Sequence, residues 1–120
     1  MLTPRLVEIN YSRAERVLRL CFENDERYEL SAEFLRVHSP SAEVRGHGPG
    51  QEVLQVGKAQ VAITGIEPVG NYAVRLRFDD GHDSGIYAFD ALYRLACARD
   101  ELWNDYLAAL QRAGATRQPS

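Results

Sequence analysis

The fold is decided by the stretch from Gly70 to Gly81, which reads Gly-Asn-Tyr-Ala-Val-Arg-Leu-Arg-Phe-Asp-Asp-Gly. Its large apolar side chains alternate with other residues, so one face takes Tyr72, Val74, Leu76 and Phe78. A period of two is typical of a half-buried β-strand. Gly-Asn at one end and Asp-Asp-Gly at the other favour turns. We therefore expect a strand that pairs with antiparallel neighbours on both sides.

The same alternation occurs towards the N-terminus. Leu6–Tyr11 is predicted to form one strand, with Val7, Ile9 and Tyr11 on one face. The next strand places Leu18, Leu20 and Phe22 on one face. A short third strand through Tyr28 and Leu30 completes an antiparallel meander. Ser31 then has the residue type of an N-cap, which predicts a short helix.

Strands are also expected further along the chain. Residues 53–56 and 60–66 are predicted to form a hairpin through Gly57 and Lys58, and residues 84–88 a last strand. The C-terminal quarter is predicted to be helical, as one helix or as two helices capped by Asp90 and Asp100. Strands followed by helices give an α+β fold, mostly antiparallel, with one domain over residues 1–113 and a flexible tail over residues 114–120.

The amino-acid composition argues against several classes of protein. The 120 residues are 45% hydrophobic and 26% charged, which is typical of a globular domain, and the net charge of −3 argues against a dedicated nucleic-acid binder. No apolar run is long enough for a membrane helix. The two cysteines, Cys21 and Cys97, are too few for a disulfide framework and fit a reducing cytoplasm.

The segment from His38 to Gln51 differs from the rest of the chain. It contains two prolines, three glycines and two histidines, and little apolar residue content. Such a composition favours an irregular loop, and loops of about 12 or more residues in small domains are functional or mobile. We expect His38, Arg45 and His47 to form an interaction loop.

Catalytic motifs have weak support in the sequence. The consecutive residues His82-Asp83-Ser84 cannot stack as nucleophile, base and orienting acid, and the Gly-rich run 46–50 lacks the strand and helix of a phosphate loop. Three histidines, His38, His47 and His82, are candidate metal ligands. Nothing in their spacing shows that they converge.

Three segments resemble a known family, the N-terminal domain of gamma-butyrobetaine hydroxylase, which also occurs as a small bacterial stand-alone domain of unknown function. They are Leu35–Glu43 (Leu-Arg-Val-His-Ser-Pro-Ser-Ala-Glu), Glu67–Tyr72 (Glu-Pro-Val-Gly-Asn-Tyr), and Asp80–Tyr87 followed by Phe89-Asp90. The resemblance covers nearly the whole chain and implies the same α+β fold. Related domains also look like those attached to Mrp-type ATPases that carry iron–sulfur clusters.

The resemblance implies a zinc site that this chain has lost. In the hydroxylase domain three cysteines and a later histidine hold structural zinc. Their positions match Ser39, Ser41, Val44 and His82 here. A serine hydroxyl is a poor zinc ligand compared with a thiolate, so we expect no zinc at this site. The hydroxylase's oxygenase domain has no counterpart in this chain, so its activity is not expected either.

These observations predict a cytoplasmic, non-enzymatic accessory domain that binds a protein partner, with no nucleic acid and no membrane involved. The alternative is a metal-binding or iron–sulfur-related accessory protein that holds zinc or iron through His82 with His38 or His47.

Overall fold

A computed structural model describes residues 3–46 and 50–119, and it contains two three-stranded antiparallel sheets. The first sheet has the order β1 (Leu6–Ser12), β2 (Val17–Phe22) and β3 (Arg27–Ser31). The second has the order β4 (Ile63–Val69), β5 (Ala73–Phe78) and β6 (Gly85–Ala88). The strand that alternates most clearly in the sequence is β5, the centre of the second sheet.

Four helices complete the α+β fold: α1 (Ala32–Val37), α2 (Ala42–Arg45), α3 (Phe89–Cys97) and α4 (Arg99–Ala113). As predicted, the Ser31 side chain caps α1, accepting a hydrogen bond of 3.0 Å from the Phe34 backbone N–H. The C-terminal quarter forms two helices. Their N-caps are Ala88 and Ala98, so the prediction that Asp90 and Asp100 would cap them was wrong by two positions in each helix.

Among the described residues, Val37, Tyr106 and Leu110 form a small apolar cluster, and the main apolar core lies between the two sheets and the helices. The main core is formed by side chains on the inward faces of β2 and β5 and by residues of α1 and α3. Its fully buried members include Leu18, Leu30, Leu35, Leu76 and Leu92. Tyr72 was predicted to lie on the half-buried face of its strand, together with Val74, Leu76 and Phe78. Phe78, Tyr87 and Tyr106 are buried, whereas Tyr72 is 59% exposed because it lies in the β4–β5 turn.

Register shifts distinguish the first strand of each sheet. In β1 the pairing with β2 slips between Leu6 and Glu8, and in β4 the pairing with β5 slips between Ile63 and Gly65. A β-bulge changes which side chains face the core. Val7, predicted to share a face with Ile9 and Tyr11, is therefore 51% exposed, while Leu6 packs against the core.

Residues 51–62 are irregular, so the predicted hairpin at 53–56 and 60–66 was wrong. This segment bonds to the C-terminal residues instead: the Gly57 and Ala59 backbone N–H groups donate to the carbonyls of Thr116 and Arg117, each at 2.9 Å. Arg117 also makes a two-pronged ion pair with Glu33 in α1, at 2.7 and 2.8 Å. Residues 115–117, expected to belong to a flexible tail, are therefore held against the domain.

Among the described residues, no helix is long and apolar enough to cross a membrane.

Candidate functional site

The segment after α1 is tied to the β5–β6 turn by a set of polar side chains, which we call the serine–histidine cluster: Ser39, Ser41, Glu43, His82 and Ser84. Ser39 and Ser41 flank Pro40, and Ser41 caps α2 by accepting a hydrogen bond of 3.3 Å from the Glu43 backbone N–H. His82 and Ser84 lie in the turn that follows β5. The cluster thus joins positions that lie 39 to 43 residues apart in sequence.

His82 is at the centre of the cluster, and its side chain is only 2% exposed. Its Nε2 lies 2.8 Å from the Ser39 Oγ, and its Nδ1 lies 3.2 Å from the Glu43 Oε2. An ionised carboxylate only accepts hydrogen bonds, so Nδ1 is the donor to Glu43. In the neutral imidazole, Nε2 then accepts from the Ser39 hydroxyl. Glu43 thereby fixes the tautomer and orientation of a buried imidazole.

The remaining serines close the network. The Ser41 and Ser84 hydroxyls are 2.8 Å apart, and the Ser84 hydroxyl donates to the Glu43 Oε1 at 3.4 Å. The Ser41 backbone N–H donates to the Ser39 Oγ at 3.2 Å. The two bonds of Ser84 connect α2 and its cap residue to the β5–β6 turn. The bond between Ser41 and Ser39 stiffens the segment that precedes α2. The segment after α1 is therefore anchored by side chains.

Ser39, His82 and Glu43 have the order of a nucleophile, a base and an orienting acid. Ser39 is nevertheless only 1% exposed, and a Cβ added at Gly85 would lie 2.6 Å from its Oγ. Gly85 is thus needed for the close approach of β6 to this hydroxyl. A nucleophile must be reached by its substrate, so the arrangement fits a buried structural network better than a hydrolytic centre.

A second polar group lies beside the cluster. One oxygen of Asp80 accepts from Arg36 Nε at 2.8 Å and from Lys58 Nζ at 2.7 Å, and the other accepts from the His82 backbone N–H at 3.1 Å. Burial acts to raise the pKa of Asp80, but these three donors together lower it to about 2. Asp80 therefore neutralises Arg36, whose side chain is only 9% exposed.

The other candidate metal ligands do not join His82 in the described chain. His38 bonds through Nδ1 to the Phe34 carbonyl oxygen at 2.9 Å and packs against the Phe34 ring at a centroid distance of 4.6 Å. Burial lowers the pKa of His38, against a smaller raising effect of that carbonyl. His47 lies outside the described residues. Within residues 3–46 and 50–119, no group of three or more His, Cys, Asp and Glu side chains is placed to hold a metal ion.

The predicted interaction loop borders a groove that Ser39 and Pro40 also line. This helix groove has a volume of about 660 Å³ and lies between residues 37–45, residues 52–55 and the facing sides of α3 and α4. Its walls are mainly apolar, with Val44, Leu54, Leu95 and Leu102 among them. Val44 is buried, and its carbonyl accepts from the Val53 N–H at 2.8 Å, which joins the two sides of the loop. Arg45 is exposed at the groove.

The sequence of gamma-butyrobetaine hydroxylase-like N-terminal domains matches residues 9–93, well over half of this chain. The chain belongs to this family. The family match ends within α3, so α4 and the C-terminal residues lie beyond it. The groove is therefore built from family residues on one side and from residues outside the match on the other.

Solved structures of similar proteins agree with the fold. Two NMR solution structures are 51% and 50% identical, with TM-scores of 0.85 and 0.83; they cover 99% and 98% of this chain and 94% and 87% of their own. A crystal structure of a protein of unknown function from Acidithiobacillus ferrooxidans, assigned to the DUF971 family, is 32% identical with a TM-score of 0.66 and covers 79% of this chain and 98% of its own. No protein with a curated description matches this chain.

Sequence reasoning identified Ser39, Ser41 and His82 through the family resemblance, and the structure brings these three positions into one cluster. It missed the roles of Glu43 and Ser84 as hydrogen-bonding partners, and it missed the Arg36–Asp80–Lys58 group. No periodic signal points to such pairs, because their members lie 22 or more positions apart. The α3 and α4 walls of the groove carried no sequence signal beyond amphipathic spacing.

Proposed function

We propose that this chain is a non-enzymatic accessory domain that docks on a protein partner through the interaction loop and the adjoining helix groove. The observation that supports it best is the groove itself, a mainly apolar cleft of about 660 Å³ beside the loop. Apolar clefts of this size with a few polar groups are typical of binding sites. Two free cysteines suit a cytoplasmic setting.

The anchoring of the loop supports a docking role. Ser41 caps α2, the serine–histidine cluster fixes one end of the loop, and the Val44–Val53 backbone bond fixes the other. A surface held in this way loses little conformational entropy when a partner binds. Rigid supports for exposed loops are the usual arrangement at binding sites.

The non-enzymatic part of the proposal rests on the burial of the cluster. Its serine is packed under Gly85 and its histidine is enclosed, so the best arrangement of reactive groups among the described residues faces inward. The match is also to the N-terminal domain of the hydroxylase family and not to an oxygenase domain.

Site-specific photo-crosslinking tests the docking surface with a matched pair of positions. Val53 lines the groove and Val7 lies on β1, and both side chains are 51% exposed. A photoreactive residue at position 53 should give a discrete crosslinked species in cells of the source organism, whereas one at position 7 should not. Equal crosslinking at both positions, or none at 53, would reject this surface.

A deletion provides the second test. Removing residues 45–50 should leave the fold intact, because the serine–histidine cluster and both sheets lie outside the deleted residues. It should abolish formation of the crosslinked species at position 53. A crosslink of unchanged yield in the deletion variant would show that the loop is not part of the docking surface.

The metal-binding alternative uses His82 with His38 or His47, and its support is weaker. Both ring nitrogens of His82 already have partners, and the Nδ1 of His38 bonds to a backbone carbonyl. Elemental analysis of untagged protein decides between the two functions. Stoichiometric zinc or iron that is lost in His82→Ala would replace our proposal.

A further inference from the structure

The helix groove has a charge that differs from that of the whole chain. The chain carries a net charge of −3, yet the charged side chains that line the groove are Arg45, Arg94 and Glu52. His38 adds no charge near neutral pH, since burial lowers its pKa. The groove thus combines apolar walls with a locally cationic border.

The two arginines are available to a partner. The Arg94 side chain is 69% exposed, and its ion pair with Asp90, at 3.5 Å, is a weak surface pair within one helix. No described carboxylate lies within ion-pair distance of Arg45, which is exposed at the end of α2. A carboxylate on a partner could therefore pair with Arg45 or Arg94 with little rearrangement of either side chain.

We propose that the partner segment bound in the helix groove is an acidic amphipathic helix, an inference that rests on the proposed docking function. Its apolar side chains, at i, i+3, i+4 and i+7 spacing, pack between α3, α4 and the loop, as in other complexes where a helix lies in an apolar groove. Its acidic side chains meet Arg45 and Arg94. Charge complementarity of this kind gives specificity against basic helices.

The shape of the groove favours a helical segment. Two of its walls are the helices α3 and α4. Ala91 of α3, Ala109 of α4 and Ala98 between the two helices line the groove and leave room for large side chains from outside. Val53 is one of the lining residues and is 51% exposed. A partner that fills a groove of about 660 Å³ and also covers Val53 has to be longer than a single side chain.

Fluorescence anisotropy with two synthetic helices tests the proposal on the full chain. The probes share a leucine stripe at i, i+3, i+4 and i+7; one carries glutamates on its polar face and the other lysines. The acidic probe should bind about tenfold or more tighter than the basic one, which is a difference of about 1.4 kcal/mol. Arg45→Glu combined with Arg94→Glu should reverse the preference, whereas Arg112→Glu, on α4 outside the groove, should not.

A second pair of variants tests the cavity. Ala109→Trp fills the groove and should abolish binding of the acidic probe, whereas Ala113→Trp, exposed at the end of the same helix, should not. Unchanged amide spectra would establish that both variants fold.

The remaining outcomes separate this inference from the docking function. Equal binding of both probes that Ala109→Trp abolishes would overturn the acidic partner and leave the docking site standing. Binding of neither probe would overturn the inference, while crosslinking at position 53 still decides the docking function. A dimer broken by Ala109→Trp, with no probe bound, would assign the groove to a second copy of this chain and overturn the inference.

Discussion

The chain contains two units of similar architecture, each with three antiparallel strands followed directly by a helix. The first unit is β1–β3 with α1, and the second is β4–β6 with α3. Both begin with a strand of seven residues that has a register shift near its start, and both continue with a strand of six residues. No repeat is visible in the sequence, so the likeness lies in the backbone.

The units differ in the turn between their second and third strands. In the first unit it spans residues 23–26, four residues, and its Glu23 and Asp25 are exposed. In the second it spans residues 79–84, six residues, and includes Asp80, His82 and Ser84. The two additional residues allow this turn to place a carboxylate and an imidazole against the segment after α1. The longer turn thus connects one unit to the other.

The largest expected effect is a gain of zinc affinity when the contact between the β5–β6 turn and the segment after α1 is converted into a metal site. Replacing Ser39, Ser41 and Val44 together by cysteine supplies the three thiolates that the family resemblance implies, with His82 from the long turn as the fourth ligand. Zinc should then bind with a dissociation constant of about 1 μM or tighter, measured by competition with a chelator.

The control for the zinc prediction carries the same three cysteines and His82→Ala. It should bind zinc more weakly, since one of the four ligands is gone. Equal affinity with and without His82 would show that the long turn does not contribute to the site.

The next largest effect is a loss of stability when the carboxylate of Asp80, in the same turn, is removed. Asp80→Asn removes the partner of Arg36, whose side chain is 9% exposed, and should destabilise the fold by about 3 kcal/mol at pH 7, as removing one partner of a buried pair does. Glu23→Gln in the shorter turn should cost less than about 0.5 kcal/mol, because its pair with Arg5 is exposed. Urea denaturation measures both.

The Asp80 effect should also depend on pH. The pKa of Asp80 is lowered to about 2 in the folded chain, so its contribution is complete above the pKa of the unfolded chain, near 4, and is lost as the pH falls through 2. The stability difference between the wild type and Asp80→Asn should therefore shrink between pH 4 and pH 2. A difference that stays constant over this range would contradict the ion-pair explanation.

The periodic parts of both units could be predicted from the sequence. Alternation in 74–78 and 18–22 placed β5 and β2 with the correct buried faces, because half-buried strands need that pattern. The bulge in β1, which exposes Val7, could not be predicted, since a register shift depends on pairing with β2. The hairpin predicted at 53–56 failed for a related reason: Val53 bonds to Val44, and Gly57 and Ala59 bond to the C-terminal segment.

The cluster was predictable only in part. The family resemblance marked Ser39, Ser41 and His82, and their convergence agrees with it. The other hydrogen-bonding partners in the cluster, Glu43 and Ser84, follow from side-chain geometry alone. Arg36, Lys58 and Asp80 come from three separate segments, so neither composition nor spacing could associate them.

A smaller loss of stability is expected when the hydroxyl of Ser39, which bonds to His82 of the β5–β6 turn, is removed. Ser39→Ala takes away the hydroxyl that bonds to the Nε2 of His82, a side chain only 2% exposed, and should cost about 1–3 kcal/mol in the free energy of unfolding. Ser84→Ala removes an exposed hydroxyl and should change stability by about 0.5 kcal/mol or less. Equal costs for the two variants would mean that His82 does not depend on Ser39.

The smallest effect tests the likeness of the two units at the start of their helices. Ser31 and Ala88 occupy equivalent N-cap positions with nearly the same backbone angles, φ −68° and ψ 153° against φ −63° and ψ 148°. Only Ser31 has a side chain that accepts a backbone hydrogen bond, so Ser31→Ala should cost about 1 kcal/mol. Ala88→Ser should stabilise the fold by about 0.5–1 kcal/mol, because its backbone is already placed for the missing cap. Denaturant midpoints measure both changes, and a destabilising Ala88→Ser would show that the second unit's helix begins in an environment that a hydroxyl does not fit.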